Sequence, residues 1–111
     1  VVKASADRWN EQLQKIVVEG NDEANKRIFY TAHYHTMITP STYCDVNGEY
    51  RGMDEMIYTS PTKENYTTLS LWDTYRTLQP LMTLTQAERV PGIVNSMLSI
   101  YRQQNKLPIW A

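Results

Sequence analysis

The feature that most limits the fold is a long interruption of helical periodicity between two helix-forming halves. Apolar residues recur at helical spacing in residues 3–19, 21–38, 70–84 and 86–104, and each stretch carries an apolar stripe. Between them, residues 39–69 lose this spacing and contain the turn signals Pro40, Asn47-Gly48 and Ser60-Pro61. We therefore expect a mainly α fold of about four helices paired in hairpins, with one irregular loop that holds at most short strands near 42–46 and 49–53.

Several local signals set the expected helix ends. Gly20 is expected to end the first helix, and Asn21 or Asp22 can cap the second. Ser70 and Asp73 have capping-box spacing, in which the Ser oxygen and the residue three later satisfy free amides. Residues 85–88 repeat that spacing before the fourth helix, but Pro91 fits this start poorly unless the helix begins near it.

Composition excludes several classes of function. The 111 residues are 41% hydrophobic with a net charge of −1, which suits a single globular core and gives no electrostatic reason to expect a nucleic acid or membrane partner. No apolar run approaches the roughly 20 residues of a membrane span. The chain begins on helix-forming residues without a cap and ends on apolar ones, so we expect a piece of a longer polypeptide.

Candidate metal-binding and reactive residues have simpler explanations. His33 and His35 are two positions apart and would not face one ion from a helix, so packing or hydrogen bonding is favoured. Cys44 has no partner base at a recognisable spacing, and residues 45–49 are better explained as a turn than as a calcium loop, which needs Gly at its sixth position. Asn65-Tyr66-Thr67 satisfies the glycosylation rule, which often occurs by chance.

The segment 72–76 is the best candidate for ligand binding. Trp72 can stack on a sugar ring, the Asp73 carboxylate can accept hydrogen bonds from sugar hydroxyls, and the Arg76 guanidinium can donate to them. The competing interpretation makes Asp73 a helix cap and Trp72 and Tyr75 core residues. Spacing alone favours the competing interpretation.

Two motifs, with others in a fixed order, change that balance. Tyr50-Arg51-Gly52-Met53-Asp54 and Ser70-Leu71-Trp72-Asp73-Thr74 are the most specific. With further pieces, they resemble the family 92 glycoside hydrolases, which are exo-acting α-mannosidases. The resemblance runs from about Trp9 onward, through residues 29–37, 40–42, 45–54, 65–76, 78–81, 88–90, 95–98 and 107–110.

The resemblance implies a fold and a reaction. Family members are expected to pair a β-sandwich with an (α/α)6 barrel, of which this chain would be a fragment, and to be secreted or periplasmic. They are expected to release terminal α-linked mannose with inversion, aided by calcium. An inverting site needs an acid and a base about 6.5–9.5 Å apart. The family's acid lies in a Glu-Gly-Asn motif that this sequence lacks, so we expect an inactive fragment with no metal ligands or catalytic residues of its own.

The resemblance also implies site residues. Asp73 matches a mannose-binding aspartate, Trp72 and Arg76 would shape the same pocket, and Arg51 and Asp54 would order a loop at its mouth. Glu55 stands where the family pattern leads us to expect Gly. The expected partners are α-mannoside glycans and the rest of the same polypeptide, and exposed apolar helix faces should make the fragment self-associate. The alternatives are another (α/α)6 glycosidase or a helical protein-interaction module.

Overall fold

The chain divides into two compact units, residues 1–38 and the remainder. A computed structural model describes residues 1–110. Five helices lie at Val2–Leu13 (α1), Glu23–His35 (α2), Leu71–Thr74 (α3), Leu78–Thr85 (α4) and Val90–Gln104 (α5). Four short strands lie at Ser41–Thr42 (β1), Glu49–Arg51 (β2), Ile57–Thr59 (β3) and Tyr66–Thr67 (β4).

The first unit is a helical hairpin of α1 and α2. Asp22 caps α2, since its carboxylate accepts from the amides of Ala24 (2.9 Å) and Asn25 (3.1 Å). The rings of Trp9 and Tyr34 meet edge to face, with centroids 4.7 Å apart. α1 ends at Leu13, before the β-branched run 16–18, whose residues lose side-chain freedom in a helix.

The second unit holds two antiparallel sheets and α3, α4 and α5. β1 pairs with β4, which closes the ends of the segment 41–67, and β2 pairs with β3 as a hairpin inside it. Packed against these strands, α5 presents apolar side chains to a core with α4. The buried core residues are Tyr66, Leu69, Met82, Ile93 and Ile100.

The prediction of a mainly α barrel fragment is wrong. Helices account for 47% of the chain, and the expected irregular loop 39–69 carries all four strands. The Asn47-Gly48 turn does form, because the Gly48 amide donates to Asp45 O at 2.8 Å. The strands on either side of it nevertheless pair with β4 and β3 rather than with each other.

The expected helix 70–84 is two helices, α3 and α4, separated at residues 75–77. Pro80 lies in the first turn of α4, where a missing N–H costs nothing because that amide has no helical acceptor. For the same reason Pro91 sits at the very start of α5. Each proline therefore lies in the first turn of a helix.

Candidate functional site

Asp73 is exposed on the four-residue helix α3. Ser70 Oγ donates to its Oδ2 at 2.5 Å, and the Asp73 amide donates to Ser70 O at 3.3 Å. Among residues 1–110, no other donor reaches the carboxylate. Since a carboxylate offers about four acceptor positions, most of its hydrogen-bonding capacity faces solvent.

The expected capping box at this helix is wrong. Ser70 is the residue before α3, yet its side chain accepts no hydrogen bond from a helix amide. Its hydroxyl donates to the charged carboxylate of Asp73, which is a stronger acceptor than a neutral oxygen. The contact orients Asp73 towards the start of its own helix while leaving Oδ1 available.

Trp72 is 58% exposed, so it is not the core residue that the competing interpretation required. Its ring meets the ring of Trp110 edge to face, with centroids 5.8 Å apart. Beside this contact the Leu71 amide donates to Ile109 O at 3.1 Å. The segment that ends the described chain is thus fixed against α3, and the two indoles give this surface an aromatic wall.

Arg76 follows α3 by two residues and is exposed. Its Nε donates to Tyr75 Oη at 2.7 Å, and its guanidinium carbon lies 5.4 Å from the centre of the Tyr75 ring. Four further N–H donors of the guanidinium remain for a ligand. An exposed aromatic ring, a carboxylate and a guanidinium therefore lie on one five-residue stretch, and each of these groups is able to contact a sugar.

Arg51 and Asp54 lie in the β2–β3 hairpin, and among residues 1–110 their side chains form hydrogen bonds and ion pairs only with hairpin residues. Arg51 Nη2 is 3.2 Å from Glu55 Oε2, an exposed ion pair. Asp54 Oδ2 accepts from Tyr58 Oη at 2.6 Å, and its Oδ1 accepts from the Met56 amide at 3.2 Å. The loop-ordering role of Arg51 and Asp54 stays a prediction.

The Asp54–Tyr58 hydrogen bond changes the acidity of both groups. It lowers the pKa of the Asp54 carboxyl, because the bond favours the charged form, and the Met56 amide adds to this effect. It raises the pKa of the Tyr58 phenol, whose proton the carboxylate holds. Both side chains face water, so the effect is local to the hairpin.

The backbone conformation of Glu55 is one that favours glycine, the residue expected at this position. Its φ is +69°, in the left-handed region that L residues other than Gly, Asn and Asp rarely adopt. Glu55 is therefore strained in this turn, whereas glycine would adopt the same φ without a steric penalty. The Arg51 ion pair offsets part of that strain.

The structure places the other candidate residues as follows. His33 is buried with its Nε2 unpartnered among residues 1–110, His35 is exposed, and these residues contain no cluster of His, Cys, Asp and Glu that could hold a metal. Cys44 Sγ donates to Lys63 O. Asn65 is 8% exposed and its Nδ2 donates to Tyr43 O, so the side chain that would carry the glycan is inaccessible in the folded chain.

Sequence reasoning missed a polar cavity in the second unit. It has a volume of about 390 Å³ and lies between the hairpin, the turn 60–64 and α5. Asn95, Ser99 and Arg102 line it from α5. Their spacing of four and three residues places them on one helix face, a signal that was present in the sequence.

Comparisons with known proteins identify the chain's relatives. The model of the glycosyl hydrolase family 92 catalytic domain matches residues 1–111. No curated protein matches.

Solved structures of the same family superpose on the chain. The family GH92 α-mannosidase BT3965 of Bacteroides thetaiotaomicron has a TM-score of 0.87 and 39% identity over 92% of this chain. A complex of that enzyme with mannoimidazole gives a TM-score of 0.86. The inverting mannosidase BT2199 of the same organism has a TM-score of 0.88 and 27% identity over 98%. The chain spans 14% to 15% of the length of these proteins.

Among residues 1–110, no helix combines the length and the apolar composition needed to cross a bilayer.

Proposed function

The chain belongs to glycosyl hydrolase family 92, and on that premise we propose that it is the part of an exo-acting α-mannosidase that contributes one wall of the mannose-binding site. The whole enzyme would hydrolyse terminal α-linked mannose from glycans with inversion. The observation that carries the proposal is the exposed Asp73 carboxylate, with one oxygen held by Ser70 and the other open, on the same stretch as an exposed tryptophan and arginine.

The three side chains would take distinct roles. Asp73 Oδ1 would accept from a sugar hydroxyl while Ser70 keeps the carboxylate from rotating away. The exposed indole of Trp72 would cover the apolar face of the ring. Arg76 would donate to a neighbouring hydroxyl through the N–H groups that Tyr75 leaves free.

The ligand of a neighbouring structure supports the substrate class. Mannoimidazole is bound by a relative that is 39% identical to this chain. A mannoside is therefore the first ligand to test. The other proposed partner is the rest of the same polypeptide. We also propose that the whole enzyme is secreted or periplasmic, an expectation that rests on the family alone.

Proton transfer belongs to other parts of the polypeptide. Three of the described carboxylates have contacts of another kind: Asp54 is bonded to Tyr58, Asp73 to Ser70, and Asp22 to the start of α2. We also propose that calcium is held elsewhere in the polypeptide, which is supported by the lack, among residues 1–110, of a cluster of His, Cys, Asp and Glu that could hold a metal. We therefore derive no step through calcium and expect no turnover of an aryl α-mannoside by the chain alone.

The test is a titration of the ¹⁵N-labelled chain with methyl α-D-mannopyranoside, followed by NMR. We expect shifts at the amides of residues 70–76, and at least about a fivefold loss of affinity in Asp73→Asn, which removes the charge but can still accept from Ser70.

Asp7→Asn is the matched control, because Asp7 is an exposed aspartate on α1. It should bind like the parent chain. Equal affinities for the parent chain and Asp73→Asn would show that Asp73 is only a local helix contact and would overturn the proposal. Turnover by the chain with added calcium would overturn the placement of the catalytic acid and base elsewhere.

A further inference from the structure

The polar cavity of the second unit has the size and the lining of a binding site for a small molecule. Its volume of about 390 Å³ falls within the range of roughly 300–1,000 Å³ that is usual for ligand pockets. It lies on the hairpin side of α5 and includes no residue of the segment 70–76. Any ligand here would occupy a site separate from Asp73.

One wall of the cavity is a polar stripe on α5. Asn95, Ser99 and Arg102 are at positions i, i+4 and i+7, while Ile93 and Ile100 of the same helix are buried in the core. None of the three polar side chains has a hydrogen-bond or ion-pair partner in the part of the chain that the structure describes. An amide, a hydroxyl and a guanidinium thus face the cavity with their full hydrogen-bonding capacity.

Glu64 also lines the cavity and supplies an acceptor beside α5. The turn before it fixes its backbone, because Ser60 Oγ donates to Glu64 O at 2.6 Å and accepts from the Glu64 amide at 3.3 Å. Its carboxylate lies against Gly92 in the first turn of α5, where a Cβ would clash with Glu64 Oε2. Negative charge is favourable at this end of a helix, so the carboxylate is held without an ion-pair partner among the described residues.

Aromatic rings complete the lining. Tyr50 and Tyr58 stand opposite each other on β2 and β3, and their rings stack with centroids 5.9 Å apart and planes inclined by 29°. The stack is held from both sides, since Tyr58 Oη donates to Asp54 and Tyr50 Oη accepts from Gln103 Nε2 at 3.5 Å. It therefore gives the cavity a rigid, partly apolar border.

The combined lining selects the chemistry of the ligand. One carboxylate and one guanidinium balance in charge, which disfavours a strongly charged ligand. Unpaired donors and acceptors around an aromatic border match a molecule that carries many hydroxyl groups on a compact apolar frame. We propose that this cavity, lined by Glu64, Asn95, Ser99, Arg102 and the two tyrosines, is a second binding site and that it takes a neutral sugar ring.

The test uses the same 111-residue chain and mannobiose as the probe. Titration followed by NMR should shift the amides of Asn95, Ser99 and Arg102, and Arg102→Gln should weaken this response by about tenfold, as expected for a lost hydrogen bond from a charged group. Arg27→Gln is the control, because Arg27 is an exposed arginine on α2. It should leave the response unchanged.

The outcomes separate this site from the first. Asp73→Asn should leave the shifts at α5 intact, so the two proposals stand or fall independently. Ser99→Ala provides a second variant should Arg102→Gln lose its spectral dispersion, and it should also weaken binding. No shift along residues 95–102 at millimolar mannobiose, or an equal response in the parent chain and the variants, would overturn the proposal. A response to free glutamine but not to the sugar would also overturn it.

Discussion

Removing the Ser96 hydroxyl should destabilise the second unit more than an ordinary helix-surface change does. Ser96 is 2% exposed on α5, and its Oγ accepts from the Tyr66 amide of β4 at 2.9 Å while donating to Gly92 O at 2.8 Å. Both partners are buried, so Ser96→Ala leaves the Tyr66 N–H in the core without an acceptor.

The magnitude follows from that unpaired amide. A buried donor that loses its partner costs about 1–3 kcal/mol, whereas alanine's better helix propensity returns at most about 0.5 kcal/mol. We therefore expect a loss of about 1–2 kcal/mol in the free energy of unfolding. The loss should concentrate where β4 meets α5, since this hydrogen bond joins the two elements.

Two measurements check this result. Urea unfolding should be followed by tryptophan fluorescence in a Trp9→Phe background, which leaves only Trp72 and Trp110 of the second unit as reporters. Amide hydrogen exchange should show faster exchange at Tyr66. The matched control is Ser99→Ala, one turn further along α5, whose hydroxyl has no partner in the described chain; it should lie within about 0.5 kcal/mol of the parent. Equal stability of the two variants, with unchanged exchange at Tyr66, would refute the reasoning.

Three further predictions concern the hairpin and α5. Tyr58→Phe should raise the pKa of Asp54 towards its ordinary value, seen by carboxyl ¹³C NMR, because the phenol hydrogen bond favours the charged carboxylate. In the parent chain, the contribution of this hydrogen bond to stability is full between about pH 4 and 10. It is lost as the pH falls through the lowered pKa of Asp54 or rises through the raised pKa of Tyr58. An unchanged Asp54 titration in the variant would contradict this prediction. Glu55→Gly should be neutral or stabilising by up to about 1 kcal/mol in urea unfolding, because relief of the left-handed φ outweighs an exposed ion pair, whereas a clear loss would refute the strain. Gly92→Ala should destabilise by about 1–3 kcal/mol in the same assay, since its Cβ would lie 2.9 Å from a ring carbon of a core tyrosine; a gain in stability, as helix propensity alone predicts, would contradict the packing.

The sequence predicted local structure best where a single residue type decides it. Asp22 as one of two candidate caps follows from which backbone amides lack acceptors, a property that depends on few neighbours. The fourth helix was expected from residue 86, but α5 begins at Val90, a later start that only the poor fit of Pro91 had signalled. The family was recognisable because motifs such as Tyr50–Asp54 and Ser70–Thr74 preserve order and spacing, and the family model confirms it.

Other features depended on partners distant in the sequence. The pairing of β1 with β4 joins residues more than twenty positions apart, and no local pattern in residues 39–69 specifies it. The capping box at Ser70 does not form, because the Ser70 hydroxyl donates to the Asp73 carboxylate while its oxygen accepts from no helix amide. Helical periodicity likewise does not predict the contact of Trp72 with Trp110.

The most direct test of the central claim is a crystal structure of the chain with methyl α-D-mannopyranoside. We predict a sugar hydroxyl within about 2.6–3.2 Å of Asp73 Oδ1, with Ser70 still bonded to Oδ2 and the Trp72 indole against the ring. A sugar bound without contact to Asp73, or a chain that leaves Asp73 bonded to Ser70 alone at saturating sugar, would contradict the account.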